Sequence, residues 1–568
     1  MRISLAPTLH KVTIYLFFTI HKTEKSMTGY DAMARVLKAE GVEFLVAFPH
    51  QTLIEASAKA GITPIICRQE RAGVNMADGF SRVSNGKRFG VFTMQQGPGA
   101  ENAFAGVAQA FADSVPVLHL PGGEALSRQG IHPTFEAARN YRHITKWTAQ
   151  IYAVEDIPLM VRRAVVQLKS GRLGPVLLEM HREAMAAEYP GEDVAYTPVQ
   201  VRRSAAASED VRDMITDLLR ASRPVIIAGQ GVLYAEATEE LIEFAELASV
   251  PVMTTLAGKS VFPETHPLSL GTGGHTYTLM VKRFLASMDF GLGIGTSFTR
   301  NTFTTPMPEG VPLGQVTNCA EDMGKDFEVA VGALGDAKLV LRQMIEEVKR
   351  QVGENGREND AEDRVAAVTR EFAAQWEPHF TSDEIPISPY RVIRELENAV
   401  DVGNTIITHD SGYPRDQLVP TWKPVSPRGY LGWGKSTQLG YGLGLAVGAK
   451  LAAPEKQVIN LMGDAAFGMA GLDLETAVRA EIPIFTVVLN NGVMTKYDSH
   501  MPYASDRFGS NELSGNYTQV SAGLGAQAER VDTPDELAPA IHRALAANRE
   551  GKTAVLEVMT KAEPNVPT

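Results

Sequence analysis

The stretch QVINLMGDAAFGMAGLDLETAVRAEIPIFTVVLNNG, Gln457 to Gly492, decides how the rest of the chain is read. Two apolar runs, each of strand length, flank a segment with helical spacing. The first run ends in Asp464 and the second in Asn490-Asn491. A strand, a helix and a second strand in that order predict neighbouring parallel strands, and such sheets bind ligands outside the carboxyl ends of their strands. Asp464 and Asn491 then stand side by side at one sheet edge. Taken singly, the aspartate reads as a helix N-cap and the asparagine as a turn residue.

The same alternation recurs outward in both directions. FLVAF (Phe44 to Phe48), ITPIICR (Ile62 to Arg68), FGVFTM (Phe89 to Met94) and VPVLHL (Val115 to Leu120) read as strands separated by helical patterns. PVIIAGQG, VPVMTT and FGLGIG repeat the theme, as do TIITHD and TAVLEV. Buried parallel strands read as continuous apolar runs, so the chain is predicted to be α/β, with three doubly wound parallel-sheet domains. The expected boundaries are 27–190, 209–350 and 380–568. A polar linker is expected over 191–208 and a charged one over 351–379, which opens QVGENGRENDAEDR. Residues 1–26 read as an N-terminal extension. VTIYLFFTI (Val12 to Ile20) is apolar, but HKTEKS follows where a small-residue cleavage site belongs, so export is not expected.

Composition narrows the function. With 44% hydrophobic and 21% charged residues and a net charge of -12, the 568-residue chain has no basic surplus for nucleic acid. No apolar run approaches the ~20 residues of a membrane span. The only two cysteines, Cys67 and Cys319, stand far apart, which fits a reducing, cytoplasmic location better than a disulfide framework.

One motif points elsewhere. GYLGWGKS, Gly429 to Ser436, fits G-x-x-x-x-G-K-[ST] and raises a P-loop ATPase centred on Lys435. A P-loop joins a buried strand directly to a helix. TWKPVSPR precedes this stretch, with Pro424 and Pro427, which is loop composition. The alternative reading is a glycine-rich turn leading into a helix over Leu439 to Ala453.

The Asp464–Asn491 pair, 27 positions apart, resembles the GD…NN signature of thiamine diphosphate enzymes. RQERAGVNMADGFSR (Arg68 to Arg82) and QQGPGAENAFAGVAQAFADSVPVLHLPGG (Gln95 to Gly123) resemble the first domain of the acetolactate synthase group, and FPETHPLSLG (Phe262 to Gly271) its middle domain. The resemblance covers most of Met27 to Val558. It implies pyrimidine-binding, middle and diphosphate-binding domains. The cofactor would lie between the first domain of one chain and the third of another, in a homodimer at least and commonly a homotetramer.

The resemblance also implies roles. Glu70 is the glutamate that hydrogen-bonds the aminopyrimidine N1′ and activates the cofactor, a task that needs a carboxyl in a dry site. Asp464, Asn491 and the carbonyl of Val493 hold Mg²⁺ on the diphosphate, hard oxygens for a hard cation. The family's GDG-Ser appears here as Gly463-Asp464-Ala465-Ala466, which removes a hydroxyl from the diphosphate's surroundings. Leu439 bends the cofactor and the carbonyl of Thr437 accepts from its 4′-amino group. His409 and Ser411 face the diphosphate.

In the substrate pocket the sequence departs from the group. His50 and Gln51 replace a small turn, Gln95 and Gln96 replace Thr-Ser, and Thr134-Phe135-Glu136 replaces Phe-Gln-Glu. Lys496, Tyr497 and His500 occupy an expected specificity helix, Gly492 to Tyr503. The implied reaction is carboligation or decarboxylation of a 2-oxo acid. A decarboxylase or 2-hydroxyacyl lyase with a larger substrate stays open beside it, as does a silent regulatory subunit. FAD is also left open: GTGGHTYT (Gly271 to Thr278) lies where acetolactate synthases bind it, and related decarboxylases do without.

Overall fold

A computed structural model describes residues 26–567. The apolar segment Val12 to Ile20 lies outside the described residues.

The apolar runs form three six-stranded sheets, parallel throughout. The first holds β1 (Phe44–Ala47), β2 (Thr63–Ile66), β3 (Gly90–Met94), β4 (Val117–Gly123), β5 (Trp147–Ile151) and β6 (Val176–His181), in the order β2-β1-β3-β4-β6-β5. The second holds β7 (Pro224–Ala228), β8 (Val252–Thr255), β9 (Ser269–Gly273), β10 (Phe290–Ile294), β11 (Leu313–Thr317) and β12 (Val331–Leu334), in the order β12-β11-β10-β7-β8-β9. The third holds β13 (Thr405–His409), β14 (Tyr430–Leu431), β15 (Gln457–Gly463), β16 (Phe485–Asn490), β17 (Gln527–Val531) and β18 (Ala554–Met559), in the order β14-β13-β15-β16-β18-β17. The first and third sheets share one topology. Strand order reverses between β1 and β3, between β7 and β10, and between β13 and β15. Those three points are where open α/β sheets leave a crevice for ligands.

The first and third domains share a hydrophobic core, which runs from Val46 and Phe92 to Leu461 and Val558. Its seam is a helix pair, Glu70–Val83 against Gly442–Ala452. Glycines permit the approach: a Cβ on Gly448 would stand 2.0 Å from the Met76 carbonyl oxygen, and one on Gly79 2.4 Å from that of Leu445. The middle domain keeps its own core around Ile226, Leu292 and Val340.

Two expectations are corrected. The segment expected as a charged linker holds the helix Ala361–Phe380. Its Val365, Phe372, Trp376 and Phe380 are buried against the middle domain, an apolar stripe that the charges around it mask in the sequence. The segment Gly492 to Tyr503 is a loop with one 3-10 turn, Tyr497–Ser499, and the next helix begins only at Pro502. Gly492 (φ 69°) and Lys496 (φ 65°) adopt left-handed conformations that a helix does not contain. No helix among the described residues is long and apolar enough to cross a membrane.

Candidate active site

At the carboxyl edge of the third sheet, β15 delivers Asp464 and β16 delivers Asn491, as neighbouring parallel strands. Asp464 is 4% exposed. Its carboxylate accepts only main-chain hydrogen bonds, from Ala465 N (2.8 Å) and from Gly492 N (2.9 Å). Burial pushes its pKa up, and the backbone N–H groups offset part of that. Asn491 Oδ1 accepts from Val493 N at 3.0 Å, and its Nδ2 donates to Thr495 at 3.1 Å. One hydrogen-bonded turn thus gathers the Asp464 carboxylate, the Asn491 amide and the Val493 backbone. No basic side chain among the described residues forms a salt bridge with Asp464. A buried carboxylate without a counter-ion, beside a second oxygen ligand, is the donor set a divalent cation fits. Ala466 is buried and Ala465 half-buried, with no hydroxyl at either position.

The neighbouring strand β13 ends in His409-Asp410-Ser411. The imidazole of His409, expected toward the diphosphate, instead faces inward. It is fully buried between Tyr430 and Trp433, its Nδ1 is 2.9 Å from the Asp410 carbonyl, and burial lowers its pKa to about 3. The neutral ring fills the interior behind the sheet edge. Asp410, which the sequence reading passed over, organises the edge. Its carboxylate accepts from Ser411 N, Gly440 N and Gly442 N at 2.8, 2.8 and 2.9 Å. That fixes the approach holding Thr437 and Leu439, both half-buried, ahead of a helix that starts at Gly442 instead of Leu439.

At the first sheet's carboxyl edge, Glu70 is the first residue of its helix and 5% exposed. Its side chain leaves its own helix end and accepts from Asn102 Nδ2 at 3.1 Å, with Gly99 facing it. His50 and Gln51 follow β1, and Gln95 and Gln96 follow β3, at the strand-order reversal. Gln51 donates to the Met94 carbonyl at 2.8 Å, and the Gln51 and Gln96 amides both close on Gly122. His50 is exposed on the turn. Phe135 packs edge-on against buried Tyr141. Tyr497 stands 48% exposed on its 3-10 turn, and the Lys496 ammonium sits 5.8 Å above the ring of Tyr413. Asp410, Asn102 and Tyr413 act through long-range contacts. HDSG carried the only local signal, for Asp410.

GYLGWGKS takes no P-loop form. Tyr430–Leu431 is a short edge strand on β13, and no helix opens at Ser436; the next one starts at Gly442. The amides of Gly434 and Lys435, which a P-loop aims at phosphate, donate to the Asp113 carboxylate of the first domain at 3.0 Å. The Lys435 side chain enters a cavity of about 520 Å³ at the β7/β10 reversal of the middle sheet.

Family models match all three domains. The N-terminal thiamine pyrophosphate binding domain covers residues 27–148, the central domain 211–344, and the C-terminal thiamine pyrophosphate binding domain 410–558. A probable acetolactate synthase large subunit of Methanocaldococcus jannaschii is 30% identical, over 95% of this chain and 94% of its own. The Methanococcus aeolicus counterpart is 29% identical, over 91% and 90%. Glyoxylate carboligase of Escherichia coli O157:H7 is 28% identical, over 95% and 94%. With these matches laid over three parallel sheets whose edges carry Glu70 and the Asp464–Asn491 turn, the chain belongs to the thiamine pyrophosphate enzyme family, in its acetolactate synthase-like group.

Proposed function

We propose that this enzyme uses thiamine diphosphate and Mg²⁺ to act on a small 2-oxo acid, as a carboligase or decarboxylase. The Asp464–Asn491 turn carries the reading, because its buried carboxylate has backbone donors but no counter-ion. Asp464, Asn491 and the Val493 carbonyl hold the metal. Gly463, Ala465 and Ala466 bring backbone against the diphosphate, with Ser411 across the crevice. Thr437 and Leu439 orient the cofactor's middle. Glu70, dry and steadied by Asn102, holds a proton at the pyrimidine N1′. The bound cofactor supplies the electron sink for chemistry beside a carbonyl. The minimum unit is a homodimer, and a homotetramer is consistent with it. Tyr503 and Phe508, each 71% exposed, and Leu472, 62% exposed, offer apolar surface near the site for a second copy. The two cysteines are free, as a cytoplasmic enzyme's would be.

A second reading is a decarboxylase or 2-hydroxyacyl lyase for a larger acid. It draws support from the polar amides of Gln51 and Gln96 around Gly122 and from the exposed Lys496, whose ammonium lies over the Tyr413 ring. Calorimetry with thiamine diphosphate and Mg²⁺ tests the cofactor. A panel of 2-oxo acids and 2-hydroxyacyl compounds, with products read by NMR, separates the reactions. Absence of cofactor binding would remove the proposal. ATP hydrolysis lost in Lys435→Ala would restore the P-loop reading. The middle-domain cavity is our proposed place for FAD or another nucleotide.

A further inference from the structure

We propose that Lys435, a residue of the diphosphate-binding domain, is the cationic contact for a phosphate group bound in the middle-domain cavity. The proposal rests on the reading of that cavity as a nucleotide site. All three domains build it. The turns after β7 and β10 form its floor, and Arg172 of the first domain and Lys435 of the third close it. At about 520 Å³ it falls in the range of small-molecule sites, roughly 300–1,000 Å³. Ile227, Met253, Phe298 and Phe327 give it an apolar wall suited to a flat ring.

The charges that line the cavity are unbalanced. Six basic side chains line the cavity against three carboxylates. Four of the six are already in salt bridges, with Glu236, Glu40, Asp322 and Asp336. The lining carboxylates Asp113, Asp322 and Asp336 are likewise engaged, by Arg82, Arg172 and Arg203. The Lys435 ammonium has only a neutral partner, Ser297 Oγ at 2.9 Å, and no salt bridge among the described residues. A largely buried ammonium facing a cavity without a counter-ion is incomplete. Burial lowers its pKa to about 8. Arg172 and Lys325 push the same way, and Asp113 and Asp322 oppose them. The ligand class that fits is a planar ring carrying phosphate, which a flavin or an adenine nucleotide supplies.

The test titrates the holoenzyme, with thiamine diphosphate and Mg²⁺ present, with FAD, with ADP and with inorganic pyrophosphate. Wild type, Lys435→Met and Lys435→Arg are compared by calorimetry. Whichever of FAD and ADP binds wild type should bind Lys435→Met roughly tenfold or more weakly, and Lys435→Arg nearly as well as wild type. Near pH 9, wild-type binding should take up a proton, read from buffers of different ionisation heat, because the phosphate restores the ammonium; Lys435→Met should take up none. Pyrophosphate binding without either nucleotide would assign the site to a free anion and overturn the nucleotide class. Unchanged nucleotide affinity in Lys435→Met would overturn the role of Lys435 and leave the cavity a nucleotide site. No binding of any of the three to wild type would overturn both.

Discussion

Asp464 and Glu70 are buried carboxylates with different company, and their substitutions should fail differently. Asp464 accepts from Ala465 N with one carboxylate oxygen and from Gly492 N with the other; an amide keeps one of these acceptors at similar shape, so Asp464→Asn should fold with one of the two bonds lost. Under the proposed function it loses the charge that Mg²⁺ would need, and Mg²⁺-dependent thiamine diphosphate binding in calorimetry should weaken by about a hundredfold or more. Glu70→Gln keeps the shape and the Asn102 neighbour but cannot share a proton. Cofactor binding should survive while kcat falls by about 10²–10⁴ in steady-state assays. Equal loss of binding in both variants would contradict this division. Lys435 makes a prediction about stability. Its folded-state pKa is about 8 against 10.5 for the free side chain, so between those values the unfolded chain binds more protons. Wild-type stability should therefore rise with pH across that window. Below it, Lys435→Met should be more stable than wild type by about 3 kcal/mol in denaturant titrations, a gain that shrinks steadily across the window and is gone above about pH 10.5.

The helix pair Glu70–Val83 and Gly442–Ala452 joins the two cofactor-binding domains backbone to backbone, because Gly444 and Gly448 present no Cβ to Ala72 and Met76. Gly448→Ala would place a methyl 2.0 Å from the Met76 carbonyl oxygen, where only backbone movement relieves it. We expect a loss of about 2–3 kcal/mol or more in thermal unfolding. Gly523→Ala is the control, since its Cβ meets nothing within 4 Å in the exposed last turn of its helix, and it should be neutral or slightly stabilising. The glycines of GLGLAVGAK are visible in the sequence, but their partner lies more than 350 positions upstream, and no local pattern names it. The same division runs through the fold. Central strands such as β3, β13 and β16 are buried on both faces and announce themselves as apolar runs. The edge strands β5 and β17 pass as loops because they are half-polar, and the edge strand β12, Val-Gly-Ala-Leu, because it is only four residues long. At the site, Asp464 and Asn491 are legible because adjacent parallel strands bring a short stretch of chain to one edge. Asp410 was hidden in a four-residue segment whose histidine drew the reading. Its partners, Gly440 and Gly442, belong to a different element.

At the scale of the whole molecule, Glu70 and the Asp464 turn crown two different sheets with the same strand order, 2-1-3-4-6-5 in each domain's own count. Within one chain the start of the Glu70 helix meets the segment that follows Asp464: Arg68 N donates to Asp473 at 2.8 Å and Arg71 to the Met469 carbonyl at 3.4 Å. The exposed apolar side chains Met469, Leu472, Tyr503 and Phe508 lie just past the two strands that deliver Asp464 and Asn491, where a second copy would cover them. If a two-fold dimer pairs the first domain of one chain with the third of its partner, each active site takes Glu70 from one chain and Asp464 from the other. Glu70→Gln and Asp464→Ala are each inactive alone under this arrangement. Unfolded together and refolded as a mixture, they form heterodimers in which one site collects both defects and the other collects none. Random pairing makes half the dimers mixed, each with one sound site of two, so the mixture should recover about a quarter of wild-type activity. Sites built within single chains would leave every site defective and the mixture silent. The recovered activity therefore reports directly whether the cofactor is held between chains.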